Sequence, residues 1–598
     1  MASTLCELFY ASVDTYRKPE HLKSKVDGQW RAWSSDDVRR GVEELSLGLR
    51  ELGLEKGERV AILSENRPEW ALADLASLCA AAVDVPIYAT LTAAQVKYIL
   101  EDSQARFAFV SNPAQAKKLA EVRAQLPHLQ KVIRFAEGGD FPPDTISLDE
   151  VRARGREALA RDPQAVRTRA AEVKPSDLAT LIYTSGTTGD PKGVMLLHSN
   201  IASNVQGTRE AFTSFSSEDV ALSFLPLCHI FERMAGHYLM FDVGATICYA
   251  ESVEAVPANM AEVRPTLMCS VPRLYEKMYA RILEKVAGDP PLRQKIFRWA
   301  MEVGRAVFKA KVERRQPPLG LRLKHALAEK LVFAKIKART GGRLRIFVSG
   351  GAPLSREINE FFGAVGLQIL EGYGLTETSP VIAVNRLERF KPGTVGPPLP
   401  GVEVKIAQDG EILTRGPHVM KGYYNKPQAT AEAIDAEGWF HTGDVGLIDA
   451  DGMLMITDRK KDLIVTSGGK NIAPQPIENV LKQSPLVAEV VMIGDRRNYA
   501  SALVVPNFDA LDKWARDKGL SGVPREELLR KPEVVALYEK AIHDLTPHLA
   551  QFERIKKVAL LPHEFTLEAG ELTPTLKVKR RVIEQKYKDV IDRMYDAA

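Results

Sequence analysis

Residues 58–111 alternate between short apolar runs and stretches with helical spacing, and this alternation most restricts the folds open to the chain. The run at 58–64 follows a Lys-Gly turn and predicts a buried strand. Helical spacing at 70–82 leads to a second strand at 85–88, a second helix at 93–102 and a third strand at 107–111. Strand–helix alternation of this kind predicts parallel sheets covered by helices, an α/β architecture. Further strands are expected at 179–184, 221–225, 246–249 and 345–349. No repeat of solenoid period is present. The most apolar long stretch, 71–89, contains Asp74, Asp84 and Pro86, and reads as buried helix plus strand, not as a membrane span.

The chain has 598 residues, more than one domain usually holds, so at least two are expected. Its 81 basic and 77 acidic residues nearly balance, which gives no case for a nucleic-acid partner. Five cysteines (Cys6, Cys79, Cys228, Cys248 and Cys269) are scattered without a Cys-x-x-Cys pair. That spacing argues against a disulfide framework or structural zinc and for a reducing, cytosolic setting. The N-terminus lacks a basic segment followed by an apolar one, so no secretory signal is expected.

Two segments depart from the alternation. Residues 274–340 are expected to be helical, broken at Pro317-Pro318, and carry a strong basic excess. The second departure is Asp-Arg-Lys-Lys-Asp at 458–462, taken as the boundary between an N-terminal domain of residues 1–457 and a C-terminal αβ domain of residues 458–598.

The string Tyr-Thr-Ser-Gly-Thr-Thr-Gly-Asp-Pro-Lys-Gly at 183–193 follows the apolar strand. Its glycines permit a tight loop, backbone N–H groups in such a loop make an anion nest, and Thr184, Ser185, Thr187, Thr188 and Lys192 add hydroxyls and charge. The set suits a triphosphate. It is not a Walker loop, because Gly193 follows the lysine.

This string resembles the phosphate loop of the adenylate-forming superfamily: acyl-CoA synthetases, luciferases and peptide-synthetase adenylation domains. Four further segments resemble that family's motifs in its own order: Glu-Gly-Tyr-Gly-Leu-Thr-Glu-Thr at 371–378, Gly-Trp-Phe-His-Thr-Gly-Asp at 438–444, the segment at 458–462, and Leu-Thr-Pro-Thr-Leu-Lys at 572–577. The last is similar to long-chain members. The resemblance covers nearly the whole chain. It implies a large N-terminal domain of parallel and mixed sheets with a β-barrel-like subdomain, and a small mobile α+β C-terminal domain. It also implies ATP, Mg2+ and coenzyme A as reactants or cofactors, and a long-chain fatty acid as the acid activated. The runner-up implications are a fatty-acyl-AMP ligase feeding a carrier protein, and a non-enzymatic binding scaffold of the same fold.

Carried over residue by residue, the resemblance assigns ATP to Thr184, Ser185, Gly186, Thr187, Thr188, Gly189 and Lys192. Adenine would lie between Tyr373, with Gly372 and Gly374 leaving room, and Gly351, Ala352 and Pro353; Glu371 opens that motif. Glu377 would hold magnesium with Thr184, and the Thr376 hydroxyl would meet the α-phosphate. Asp444 and Arg459 would hold the ribose, and His229 would stand where acid and adenylate meet. Lys577 would stabilise charge during adenylation. Lys461 would be the pivot of domain rotation, with Gly468 and Gly469 beside a coenzyme A channel. Each has a plainer reading too. Thr376 and Glu377 would cap and open a helix, Tyr373 and His229 would be core or turn residues, Asp444 a turn aspartate, and Lys577 one more lysine of a basic tail. The basic insertion, with Phe297, Trp299, Phe308 and Phe333 beside Arg293, Lys295 and Arg298, is expected to dock peripherally on anionic membrane. Its alternative is a solvated insertion whose aromatics pack on the main domain.

Overall fold

The computed structural model describes residues 2–136, 138–184, 190–566, 569–573 and 578–596. Two eight-stranded sheets dominate it. The first runs in the order Gly422–Tyr423, Lys192–Leu197, Leu178–Thr184, Val83–Ile87, Arg59–Leu63, Phe107–Val110, Lys131–Arg134, Thr145–Ser147. Its pairings are parallel except at the Lys192–Leu197 end. The expected alternation is therefore present, with helix Pro68–Cys79 between Arg59–Leu63 and Val83–Ile87, and helix Ala93–Ser103 before Phe107–Val110. Strand Val83–Ile87 is buried along its length, as a central parallel strand should be. The stretch at 71–89 lies in that helix and strand, inside the fold.

The second sheet runs Val381–Val384, Gln368–Gly374, Ile346–Ser349, Leu267–Ser270, Val220–Ser223, Thr246–Tyr249, Leu22–Val26, Gln29–Trp33. It is parallel within and antiparallel at both edges. A third, four-stranded antiparallel sheet comprises Glu403–Ile406, Glu411–Arg415, Phe440–Ile448 and Leu454–Arg459. The division expected at Asp458 falls inside its last strand, whose end, Arg459, still pairs with Asp444. Beyond it come a hairpin, Ile464–Val465 with Asn471–Ile472, and a three-stranded sheet of Val487–Ile493, Ala500–Pro506 and Ile555–Leu560 flanked by helices. This C-terminal part has its own apolar core around Leu481, Met492, Val504, Leu511 and Tyr538.

The basic segment is helical, as expected: Pro272–Ala287, Pro291–Val312 and Leu319–Ala328, then a wider π turn at Glu329–Phe333 and helix Ala334–Ala338. Helix Pro291–Val312 lies so close to helix Arg356–Val365 that a Cβ on Gly304 would stand 2.4 Å from the Ala364 carbonyl. Phe308 is buried in the main N-terminal core, and Phe333 is buried in a second core against which Phe297 and Trp299 are half-buried. Phe308 and Phe333 thus serve the alternative role of anchoring the insertion, while Phe297 and Trp299 keep part of their surface exposed.

In both large sheets, carboxyl ends of parallel strands lead into the motif residues. Leu178–Thr184 runs into the phosphate string, Val220–Ser223 toward His229, Ile346–Ser349 into Gly351, and Gln368–Gly374 into Thr376. Open parallel sheets bind ligands at such ends.

Candidate active site

Thr184 and Lys192 are opposite each other at the mouth of the phosphate loop, the last pair of the antiparallel ladder. Ser185, Gly186, Thr187, Thr188 and Gly189 lie outside the described residues. Gly193 packs closely on Tyr183, since a Cβ there would stand 3.1 Å from its ring. The Tyr183 hydroxyl donates to Asp102 at 2.7 Å.

A tyrosine that no sequence argument had singled out joins this loop to the next motif. The two-residue strand Gly422–Tyr423 pairs with Val194 and Met195. The Lys192 ammonium stands 4.8 Å from the centre of the Tyr423 ring, and the Tyr423 hydroxyl donates to Glu377 Oε1 at 2.8 Å. The Met420 N–H donates to the Glu377 carbonyl at 2.8 Å. Withdrawal from water raises the Glu377 carboxyl above its ordinary range, and the hydrogen bond from Tyr423 opposes that shift.

The helix of the plainer reading, capped by Thr376, is absent. Residues Thr376–Thr378 form a single 3-10 turn, and its hydroxyl cap is Thr378, which accepts from the Leu375 N–H at 2.9 Å. Strand Val381–Val384 begins three residues after Thr378, leaving no length for a helix. Gly374 also differs from expectation. A Cβ there would stand 1.8 Å from the Pro380 carbonyl, so its space is taken by the neighbouring strand. Gly372 is less confined: a Cβ there would stand 3.3 Å from a Val384 methyl.

Tyr373, Asp444 and Arg459 come together. The Tyr373 hydroxyl donates to Asp444 Oδ2 at 2.7 Å, and Arg459 Nε lies 3.4 Å from Oδ1. The antiparallel register that sets Asp444 opposite Arg459 makes this pair. Asp444 is buried, and its backbone N–H donates to Thr442 Oγ1 at 3.1 Å.

Gly351, Ala352 and Pro353 form an exposed turn after strand Ile346–Ser349, with Gly351 at φ +80°. Glu371 lies beneath it. Burial pushes its carboxyl up to about 7, against hydrogen bonds from the Asn359 amide and the backbone N–H groups of Gly393 and Leu354. Glu371 thus acts on the turn from below, by holding Leu354.

His229 is half-buried. Its backbone N–H donates to the Pro226 carbonyl at 2.9 Å, and Nδ1 accepts from the Phe231 N–H at 3.2 Å, so the neutral ring carries its hydrogen on Nε2. The π turn Glu232–Tyr238 follows. From it Arg233, fully buried, donates to Thr180 Oγ1 at 2.9 Å and to Asp74, with Asp84 2.5 Å away. Burial raises Asp84 far above the carboxylate range. It would raise Asp74 too, but Arg233, His237 and Tyr238 outweigh it and hold Asp74 low. One guanidinium therefore faces one ionised and one neutral carboxyl. Because the Arg233 N–H also donates to the His229 carbonyl at 3.1 Å, this cluster ties the histidine turn to the strand that feeds the phosphate loop.

The remaining expected residues lie on the C-terminal side. Lys461 is exposed in the turn after Arg459, where the Asp462 N–H donates to the Arg459 carbonyl at 2.9 Å. Gly468 and Gly469 are exposed at the tip of the hairpin, Gly469 at φ +73° with its N–H on the Thr466 carbonyl at 2.8 Å. Lys577 lies outside the described residues, between Leu572 and Val578, which pair with each other.

The architecture is that of a two-part α/β enzyme whose motif residues gather at strand ends. The chain belongs to the AMP-binding enzyme family: the AMP-binding enzyme profile matches residues 11–424, and the AMP-binding enzyme C-terminal domain matches residues 461–598. It is 38% identical over 573 residues to the long-chain-fatty-acid–CoA ligase FadD15 of Mycobacterium bovis, covering 96% of this chain and 93% of that protein. It is 35% identical to the peroxisomal long chain acyl-CoA synthetase 6 of Arabidopsis thaliana, covering 99% and 86%. Among solved structures, the anthranilate CoA ligase AuaEII with anthranoyl-AMP shares the fold, with a TM-score of 0.75 at 20% identity over 99% of this chain and 100% of that one.

Proposed function

We propose that this chain ligates a long-chain fatty acid to coenzyme A, consuming ATP and releasing AMP and pyrophosphate through an acyl-adenylate. The observation that carries the reading is the pairing of two clusters at neighbouring strand ends. Lys192, Tyr423 and Glu377 suit a triphosphate; Tyr373, Asp444 and Arg459 suit a nucleoside. The relatives that match over most of this chain bear names of this activity.

In the first half-reaction a carboxylate oxygen of the fatty acid attacks the α-phosphorus of ATP and pyrophosphate leaves. Lys192 offsets phosphate charge, Asp444 accepts from ribose hydroxyls, and His229 offers an Nε2 hydrogen where acid and phosphate meet. A magnesium ion, when bound, neutralises phosphate charge. Glu377 and the Thr184 hydroxyl would hold it, and a donor set with one carboxylate fits an ion that takes most of its oxygens from phosphate and water. In the second half-reaction the coenzyme A sulfur attacks the acyl carbonyl, the bond to AMP breaks, and the thiol proton goes to solvent. The C-terminal part turns about Lys461 between the two, exchanging Lys577 for the Gly468 and Gly469 turn.

The test is ATP–pyrophosphate exchange driven by palmitate, followed by thioester formation when coenzyme A is added. Exchange without thioester would indicate transfer to another thiol, and absence of both with acids of every length would refute the reading.

A further inference from the structure

The outermost layer of the basic insertion presents a row of leucines to solvent. Leu319, Leu323, Leu327 and Leu331 recur every four residues along helix Leu319–Ala328 and the π turn after it, and are 70, 66, 50 and 41% exposed. Leu292, 69% exposed, opens the neighbouring helix, where Ile296 and Trp299 line an open groove with Leu327 and Leu331. With Leu283, six of the eleven exposed large apolar side chains among the described residues lie in this one insertion. Of the other five, Leu447 and Ile448 are adjacent and Val253, Val465 and Phe552 stand singly, as exposed apolar residues ordinarily do.

Ala328 and Phe333 point the opposite way from the leucines and are buried, fixing which side of the helix meets the body of the protein. The rim of the row is basic. Arg293, Lys295, Arg298, Arg322, Lys324, Lys330 and Lys335 are all exposed, and Arg298, Arg322, Lys324, Lys330 and Lys335 make no ion pair among the described residues. The acid on this stretch, Glu329, is taken by Lys337 at 2.8 Å. No helix among the described residues is long and apolar enough to cross a membrane.

We propose that this leucine row with its cationic rim is a docking face for an anionic lipid bilayer. Apolar side chains flanked by lysine and arginine match the boundary between acyl chains and acidic headgroups. A second copy of the chain is the poorer fit, because two such faces would bring like charges together around the leucines. The proposal rests on the fatty-acid reading for its purpose, since a long-chain substrate partitions into the bilayer. The binding itself does not depend on catalysis.

The test is co-sedimentation of the full chain with phosphatidylcholine vesicles and with mixed phosphatidylcholine–phosphatidylglycerol vesicles, at low and high salt. Binding is expected to the mixed vesicles, weakened by salt. Replacing Leu319, Leu323 and Leu327 by Gln should reduce it on the order of tenfold or more. Replacing Arg322 and Lys324 by Glu should reduce it more than fivefold for each charge removed, given about 1 kcal/mol per basic residue near the surface. All these side chains are exposed, so thioester formation from a soluble medium-chain acid should be unchanged, while turnover of palmitate delivered in vesicles falls. Equal binding to both vesicle types, or unchanged binding by the leucine variant, overturns the proposal. So does a dimer in light scattering that the leucine variant abolishes. Vesicle binding without any ligase activity would instead refute the function and leave the docking face standing.

Discussion

The Tyr423 hydroxyl donates to Glu377 at 2.8 Å while its ring lies 4.8 Å from the Lys192 ammonium, so one side chain positions a carboxylate and a cation from two distant motifs. Removing only the hydroxyl, in Tyr423→Phe, keeps the ring under Lys192 and frees Glu377. A hydrogen bond to a charged group contributes about 1.5–3 kcal/mol, so pyrophosphate exchange should fall roughly tenfold or more. Because that bond lowers the Glu377 pKa against burial, its loss raises the pKa further. The acid limb of the exchange rate should move to higher pH. An unchanged acid limb would show that Tyr423 does not act through Glu377.

The cluster behind His229 separates two aspartates that look alike in sequence. Asp84 is held neutral by burial and Asp74 is held ionised by Arg233. Asp84→Asn replaces one neutral group by another and should change stability by less than about 1 kcal/mol, whereas Arg233→Met strands the Asp74 charge and should cost roughly 3–5 kcal/mol. Urea denaturation measures both, and similar costs would contradict this division of charge.

These residues also mark where sequence reading stops. The strands at 59–63, 83–87 and 107–110 were legible because apolar runs and helical stretches alternate at full length. Asp444 and Arg459 could be named from their motifs, and the strand register then explains why they meet. Tyr423 could not be found this way, since a two-residue strand has no periodicity to read. Arg233 stood in plain view beside His229, but an arginine is a surface charge by default, and its partners Asp74 and Asp84 sit on other elements. In the insertion the aromatics were the obvious membrane candidates. Only packing reveals that Phe308 and Phe333 face inward, while Trp299 borders the groove beside the exposed leucines.

Two buried glutamates set a pH dependence of stability. Burial pushes Glu232 up to about 8 and Glu371 up to about 7, from an ordinary value of 4.5. Groups whose pKa is raised on folding give stability that is complete below the unfolded value and lost as pH rises through the folded one. The protein should therefore lose stability between about pH 5 and 8 from these groups, with a slope of up to about 1.4 kcal/mol per pH unit for each carboxyl. A neutral amide cannot ionise and keeps an oxygen for the Ser223 hydroxyl, so Glu232→Gln should flatten that slope. Denaturation curves at several pH values that keep the same slope in the variant would exclude Glu232 as the source.

The assignment of Lys577 to the first half-reaction alone yields a sharp contrast. Lys577→Ala should reduce palmitate-dependent exchange on the order of 10²–10³-fold, as loss of a charge-stabilising donor does. Thioester formation from supplied palmitoyl-AMP should be spared. Equal losses in both assays would remove the assignment.

The contacts across the expected rotation are polar and weak, which suits a part that must move. Arg273 Nη1 reaches the Ala488 carbonyl at 3.4 Å and Glu489 at 3.9 Å, and the Gln483 amide reaches Ser355 at 3.1 Å. Near the pivot, the Gln475 N–H donates to Asp458 at 3.4 Å. The Arg273 and Gln483 contacts are half-exposed and contribute about 0–1 kcal/mol each, so breaking them costs little, whereas Asp458 is buried. If Lys461 is the pivot, as proposed, proline there fixes φ near about −65°. Lys461→Pro should leave pyrophosphate exchange in place while coenzyme A transfer falls, because a hinge works by absorbing a change in φ and ψ. Lys461→Ala, which keeps backbone freedom, should retain both half-reactions. The measurement is single-turnover kinetics of each half-reaction in the three proteins. Equal transfer rates in the proline and alanine variants would move the pivot elsewhere.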